Sequence, residues 1–282
     1  MDRPGNRAGR PEGASGPRLR ASAFHVATAV AVVVAAAFFL LPLIGIVRQG
    51  NLGSGLSSPL ATDALRISLE LSAVSLLAMV LVGTPVGYWM ATHEFRGKAV
   101  FSTMFELPLV LPPAVAGLGL FAAFGRTGML SSELDALGLQ LPFTPAAVVM
   151  AMTFVAGPFY LRQAEAAFSA VDRDLLAAAR TLGAGPAKVF LRVAVPLASA
   201  GLGAGAALGW ARALGEFGAT IMFAGSLQGV TQTAPIAIYL GFERGDFDHV
   251  YGLGAVLIAI SAAVLLAAKL IARGRLPRFA PG

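Results

Sequence analysis

Cysteine is absent from this chain, and charge is scarce: only 13% of the 282 residues are Asp, Glu, Lys or Arg. Without thiols there is no disulfide framework and no thiolate metal site, and the redox character of the compartment leaves no mark on the sequence. Soluble domains carry about 25% charged residues, so this chain has too little polar surface to cover a soluble body of its size. Histidine is also rare. His25, His93 and His249 lie near the ends of apolar runs or in loops, and no Ser–His or paired-carboxylate constellation falls in one pocket, which argues against a membrane-embedded enzyme. Nor is there a G-x-x-x-x-G-K-[ST] loop to cradle nucleotide phosphates. The one Gly-Lys pair, Gly97–Lys98, continues into Ala99 and lacks the upstream glycine. If the work of this chain consumes ATP, another polypeptide hydrolyses it.

What the chain has is oil: 56% of its residues are hydrophobic, and they come in long runs. Val26–Val47 holds 22 residues without a charge. At roughly 1.5 Å per residue it covers about 33 Å, enough for a hydrocarbon core of about 30 Å. Further runs occupy Leu71–Ala91, Leu107–Phe124, Pro142–Leu161, Pro196–Met222 and Val250–Ala268. They predict an all-α polytopic membrane protein of six transmembrane helices, near residues 23–47, 67–91, 101–124, 142–162, 196–223 and 250–271. The first run could be read as a cleaved signal, since five arginines precede it. It is longer than the apolar core of a signal, and a polar head of about twenty residues comes first, so it is read as a span.

The basic residues set the direction of the chain. With the N-terminus inside, the inner segments hold sixteen Lys and Arg and the outer segments four, with Arg212 within a span. Both ends are therefore expected in the cytoplasm. The formal net charge of +6 then reflects topology, and no nucleic-acid partner is expected. The head, residues 1–22, is rich in Gly, Pro and Arg with no apolar period and is expected to be disordered. Its arginines act as a topology signal or touch anionic lipid. The end, residues 272–282, is expected to be a second cytoplasmic tail.

Between the fourth and fifth runs, residues 163–195 form an inner segment with its own pattern. Asp172 is an N-cap for a helix that stops at Gly183. Leu175, Leu176, Ala179 and Leu182 recur at helical spacing as one apolar stripe, with Arg173 and Arg180 on other faces. Pro186 opens a second short helix through "AKVFLRVAV", Ala187–Val195, that ends at Pro196. Two readings stand for this elbow: an amphipathic helix on the inner membrane face, or a knob that fits a groove on a cytoplasmic partner.

At this elbow the chain resembles the permease subunits of bacterial type I ABC importers. Their cytoplasmic loop follows the pattern E-A-A-x-x-x-G-x9-I-x-L-P, and Ala178, Ala179, Gly183, Val193, Val195 and Pro196 fall on it. Valines stand in for Ile and Leu. Ala177 occupies the place of the leading Glu, which removes one polar contact and leaves the helix–Gly–helix geometry. The resemblance covers about residues 65–273. It implies a type I importer permease fold, a homodimer of permeases, and two ATP-binding cassette subunits that carry the ATP and Mg. This chain would bind no cofactor of its own. The elbow, Asp172 to Pro196 with Leu175, Leu176, Ala177, Ala178, Ala179, Arg180, Leu182, Gly183, Pro186 and Val193, would be the coupling knob.

The fifth span is rich in small residues. Gly201, Gly205 and Gly209 are spaced for close helix packing. Arg212 and Glu216 lie four apart on one face. Mid-bilayer charges turn to the protein interior or to a watery path, so the pair is read as an ion pair in the pathway wall, with substrate contact by Arg212 as the other reading. Glu106, beside Pro108 and Pro112–Pro113, is a further candidate partner for Arg212. The prolines of the third span suit a bending gate or a static kink. Candidate pathway residues are Glu106, Arg212, Gly215, Glu216, Phe217, Gly218 and Thr220.

The segments "RALGEFGATIMFAG", "TQTAPIAIY" and "LPLVLPPAVAGLGL" resemble the permeases for molybdate and tungstate, and somewhat less those for sulfate and thiosulfate. That resemblance implies import of a small tetrahedral oxyanion by alternating access at the bacterial inner membrane. It also implies an extracytoplasmic oxyanion-binding protein, for which the outer segment Ser226–His249, with Glu243, Asp246 and Asp248, is a docking surface. Hydroxyls at Thr220, Thr231 and Thr233 are candidate anion contacts. An ion-coupled secondary transporter is the distant alternative. Such carriers show internal repeats and midplane ion ligands, and neither is found here.

Overall fold

The computed structural model describes residues 16–274 except 52, 54, 55 and 57. Two units make up the chain, Met1–Arg48 and Gln49–Gly282. The first is formed by helix α1 (Gly16–Gln49), whose Val30, Phe38 and Leu41 are exposed. The helix is already under way inside the head expected to be irregular. Pro17 sits at its start, and "RLRASAF" offers no breaker after it. Residues 1–15 lie outside the described residues.

In the second unit α2 (Pro59–Thr92) opens with Ser58 Oγ accepting the Ala61 N–H and Pro59 in the first turn. Its 34 residues reach about 51 Å at roughly 1.5 Å each, well beyond the hydrocarbon core. The third expected span is not one helix. It divides into α3 (Lys98–Val110) and α4 (Pro113–Phe124), which meet at 114°. Pro112 holds Leu111 in extended backbone, and Pro113 suits the first turn of the next helix. The two prolines therefore make a corner, sharper than the kink expected from them. A short α5 (Ser131–Ala136) precedes α6 (Pro145–Ser169). Then come α7 (Arg173–Thr181) and α8 (Pro186–Val189), which runs through a π-turn, Phe190–Ala194, into α9 (Val195–Leu214). The unit ends with α10 (Gly218–Ala224), α11 (Ala234–Glu243) and α12 (Phe247–Gly274). Residues 275–282, most of the expected second tail, lie outside the described residues. Among the described residues five helices are long and apolar enough to cross a membrane, six if the bent pair is one span.

Helix α6 is the hub, packed on α2, α3, α4, α9 and α10. Its buried face is mostly small: Ala147, Ala151, Ala156 and Ala164 are completely covered. Small residues let helices approach where lipid supplies no hydrophobic drive. A Cβ on Gly201 would lie 2.5 Å from that of Ala167, and one on Gly205 2.7 Å from that of Gln163, so the glycine stripe of α9 is a packing seam against α6. Tyr160 fills the junction of three helices, its ring against Gly83 and Gly205 and its Oη 2.6 Å from Thr84 Oγ1.

Helix α4 leans on α10 through two glycines. A Cβ on Gly117 would stand 2.7 Å from Ala219 O and from Met222 Cβ, and one on Gly218 would stand 2.7 Å from Pro113 Cβ. Gly117→Val is therefore expected to cost about 1–3 kcal/mol, as overpacking does. Gly203→Ala, with nothing within 4 Å, is expected to be neutral or stabilising. Thermal unfolding of the two purified variants in one detergent checks the contrast.

Candidate functional site

The elbow is built by capping chemistry. Asp172 Oδ1 accepts the Asp174 N–H at 2.9 Å and starts α7. Gly183 ends it at φ +82°, backbone that a β-carbon disfavours. The Gly183 N–H donates to Arg180 O at 2.9 Å and the Ala184 N–H to Ala179 O at 3.0 Å, which closes the helix as a Schellman turn. Leu176 and Val189 are buried and Ala179 and Val193 half-buried, so these side chains anchor the elbow.

Leu175 and Leu182 depart from the expected stripe. They are 49% and 88% exposed, because the short helix turns only one edge to the bundle. Ala177, Ala178, Gly183 and Pro186 are also exposed, as are Arg173, Arg180, Lys188 and Arg192. The exposed surface of the elbow is apolar at Leu182, Gly183 and Pro186, and it also carries the four basic residues and the acids Asp172 and Asp174. The second short helix does not end at Pro196. It passes into α9 through the π-turn, where the Val195 N–H donates to Phe190 O. A turn of the wider i→i+5 kind removes the need for the amide that Pro196 lacks.

Farther along, α9 stops at Gly215 and α10 begins at Gly218, so the fifth expected span is interrupted. Glu216 joins the two ends. Its Oε1 accepts the Ala219 N–H at 2.8 Å, and its Oε2 lies 2.7 Å from Arg212 Nη2. The carboxylate is 1% exposed and the guanidinium 29%. An anion at a helix N-terminus is stabilised by the free N–H groups there, and Arg212 balances its charge. The Phe217 ring lies 5.0 Å from that of Tyr239.

Glu106 is not part of this pair. It lies 3.4 Å from Arg162 Nε and accepts the Ser102 hydroxyl at 3.3 Å, because the corner at Leu111 turns α3 toward α6. Thr220 and Thr233 are fully buried with no hydrogen-bond partner among the described residues. Thr231 Oγ1 accepts the Leu227 N–H at 3.0 Å and so holds a turn.

Sequence reasoning missed the serines of α2. Ser68 Oγ accepts the Ala234 N–H at 2.7 Å, Ser72 Oγ accepts Trp210 Nε1–H at 2.8 Å, and Ser75 Oγ donates to Leu71 O at 2.8 Å. Their spacing of four and then three was readable as a polar stripe on one helix face. The segment taken as an outer loop instead contains α11 and the first turn of α12. There Tyr239 Oη donates to Glu243 Oε1 at 2.6 Å, and Asp246 Oδ1 lies 2.8 Å from His249 Nδ1. The bond from His249 holds the Asp246 carboxyl below its ordinary 3.8. Among the described residues no three His, Cys, Asp or Glu side chains gather as a metal site.

The family described as "Binding-protein-dependent transport system inner membrane component" matches residues 83–279. The chain belongs to this family. It is 39% identical over 232 residues to the "Molybdenum transport system permease protein ModB" of Mycobacterium bovis, covering 81% of this chain and 88% of that protein. It is 40% identical over 200 residues to the "Putative molybdenum transport system permease protein YvgM" of Bacillus subtilis, covering 71% and 88%. Among solved structures, a bacterial alginate ABC transporter crystallised with its alginate-bound periplasmic protein matches at TM-score 0.69 and 16% identity, over 91% of this chain and 96% of that one. This inner membrane component has the type I ABC importer permease fold.

Removing the guanidinium in Arg212→Ala strands a buried carboxylate and is expected to destabilise the component by about 3–5 kcal/mol. Glu216→Gln, whose amide oxygen still accepts the Ala219 N–H, is expected to cost less. Unfolding by denaturant in detergent ranks the two. At the other site the depressed Asp246 pKa contributes stability above the unfolded value that is lost as pH falls through the folded one. In His249→Ala the Asp246 carboxyl is expected to return toward 3.8, read by carboxyl-carbon NMR titration.

Proposed function

We propose that this chain is the membrane-spanning subunit of an ATP-driven molybdate importer, acting as a homodimer in the bacterial inner membrane with both termini in the cytoplasm. The single observation that carries the cargo is the 39–40% identity to two proteins named as molybdenum permeases. Tungstate shares the tetrahedral dianion and is the expected second cargo, with sulfate a weaker competitor.

In this reading an ATP-binding cassette subunit grips each elbow. The apolar tip of Leu182, Gly183 and Pro186, with Ala177 and Ala178 beside it, enters a cleft on that subunit, and the elbow's basic residues meet its surface. ATP and Mg sit on that partner. Closure of the two ATPases draws the elbows together, and α8 passes the motion to α9 without a break because the π-turn keeps the backbone helical. An inward-open cavity then becomes outward-open, and hydrolysis resets it. Glu216 and Arg212 keep the α9–α10 junction rigid in the pathway wall. An extracytoplasmic binding protein docks over α11 and the start of α12 and delivers the anion, so the pathway itself needs only weak binding.

Reconstitution of this chain with its ATPase and binding protein in vesicles tests the reading. Molybdate is expected to stimulate ATP hydrolysis, tungstate to compete strongly and sulfate weakly. Gly183→Leu places a bulky side chain at positive φ on the docking tip, which disfavours its turn by about 1–2 kcal/mol, so stimulated hydrolysis is expected to fall. A normal rate in that variant removes the coupling role, and stimulation by sulfate alone removes the cargo.

A further inference from the structure

An open groove of about 380 Å³ runs between α2, α3 and α6. Val82, Met104, Phe105, Phe154, Gly157 and Leu161 line it, and Val82 and Met104 are 65% and 63% exposed. All three helices lie in the membrane-spanning part of the chain, where hydrocarbon is the surrounding solvent. Gly157 forms part of the floor, and the nearest atom to a Cβ built there is Met79 Cγ at 4.0 Å. The missing side chain is what leaves the floor low.

One end of the groove is charged. A smaller hollow shares Phe105, Pro158 and Leu161 with it and is walled by Ser102, Glu106, Arg162 and Glu165. The Arg162 side chain is 62% exposed and touches Glu106 through Nε at 3.4 Å. That is too long for a strong charged hydrogen bond. Among the described residues Arg162 meets no carboxylate other than Glu106, and Glu165 forms no ion pair. The level of this end is marked by Met90, in the last turn of α2. Next to it Trp89 packs against Phe95 and Phe101, with ring centroids at 4.9 and 6.0 Å. Such aromatic clusters lie at the head-group level of a bilayer.

We propose that this groove is a binding site for phosphatidylethanolamine. One acyl chain lies along Val82, Phe154 and Gly157. The lipid phosphate takes the Nη donors of Arg162, and the primary ammonium donates to Glu106 and Glu165. A single cation between two carboxylates complements a head group that carries both charges. A choline head group has no N–H to donate, and an anionic glycerol head group meets two carboxylates with no ammonium to offset them. The inference rests on the membrane-spanning fold alone and is independent of the cargo.

Native mass spectrometry of the full chain in its assembled transporter, after titration with phosphatidylethanolamine, phosphatidylcholine or phosphatidylglycerol of identical acyl chains, tests it. Phosphatidylethanolamine is expected to be retained about tenfold more than either other lipid, and Glu165→Gln to remove most of that preference, as loss of one charged hydrogen bond does. Gly157→Leu fills the floor and is expected to abolish retention of all three. Equal retention of the three lipids, or retention unchanged by both variants, overturns the proposal. Because the chain has no cysteine, Val82→Cys gives a separate reading: a disulfide between two copies places a second copy in the groove and also overturns it.

Discussion

A break or distortion in a helix away from water leaves amide and carbonyl groups unsatisfied, at several kcal/mol for each, and the described residues show three ways of meeting that cost. At Leu111 the gap is closed with prolines. Pro112 and Pro113 bring no N–H into it, and Pro112 O accepts the amides of Val115 and Ala116 at 2.8 and 3.1 Å. At Phe190–Ala194 the ladder widens by one residue and continues. At Gly215–Phe217 a carboxylate enters the gap, takes one amide, and is balanced by the arginine one turn before it. The third solution is the most demanding, because it depends on a charge that is stable only while its counter-charge stays in place.

These interruptions need close packing to hold their angles. The bend between α3 and α4 would leave α4 unsupported without the approach of α10, and that approach requires glycine at 117 and 218. The seam between α6 and α9 follows the same logic with alanine against glycine. Hydroxyl groups supply the remaining specificity. Ser68 and Ser72 tie α2 to the start of α11 and to Trp210 of α9, each by a single short bond where no water competes.

The same economy explains the elbow. Two anchors, Leu176 and Val189, hold it against the bundle, and the residues between them present small apolar atoms outward. An exposed leucine beside an exposed glycine costs the folded chain little and suits a surface that another protein covers. The continuous helix from α8 to α9 gives that surface a rigid connection to the interior, where Arg212 and Glu216 sit at its far end.

Hydropathy and capping residues alone determined the long helices, the elbow and the Arg212–Glu216 pair. These depend on periods of a few residues and on local chemistry: an i,i+4 pair must share a helix face, and Asp172 and Gly183 cap a helix wherever it lies. Family membership was legible in the elbow for the same reason, since its pattern is contiguous. The tertiary structure decided what depends on direction. Two adjacent prolines announce a break but not its angle, and the 114° corner is what gives Glu106 to Arg162. Leu175 and Leu182 have the period of a buried stripe, yet α7 is too short to turn all of it inward. The partners of Ser68 and Ser72, like the floor at Gly157, come from segments far away in the chain, and no local period encodes a contact across that distance.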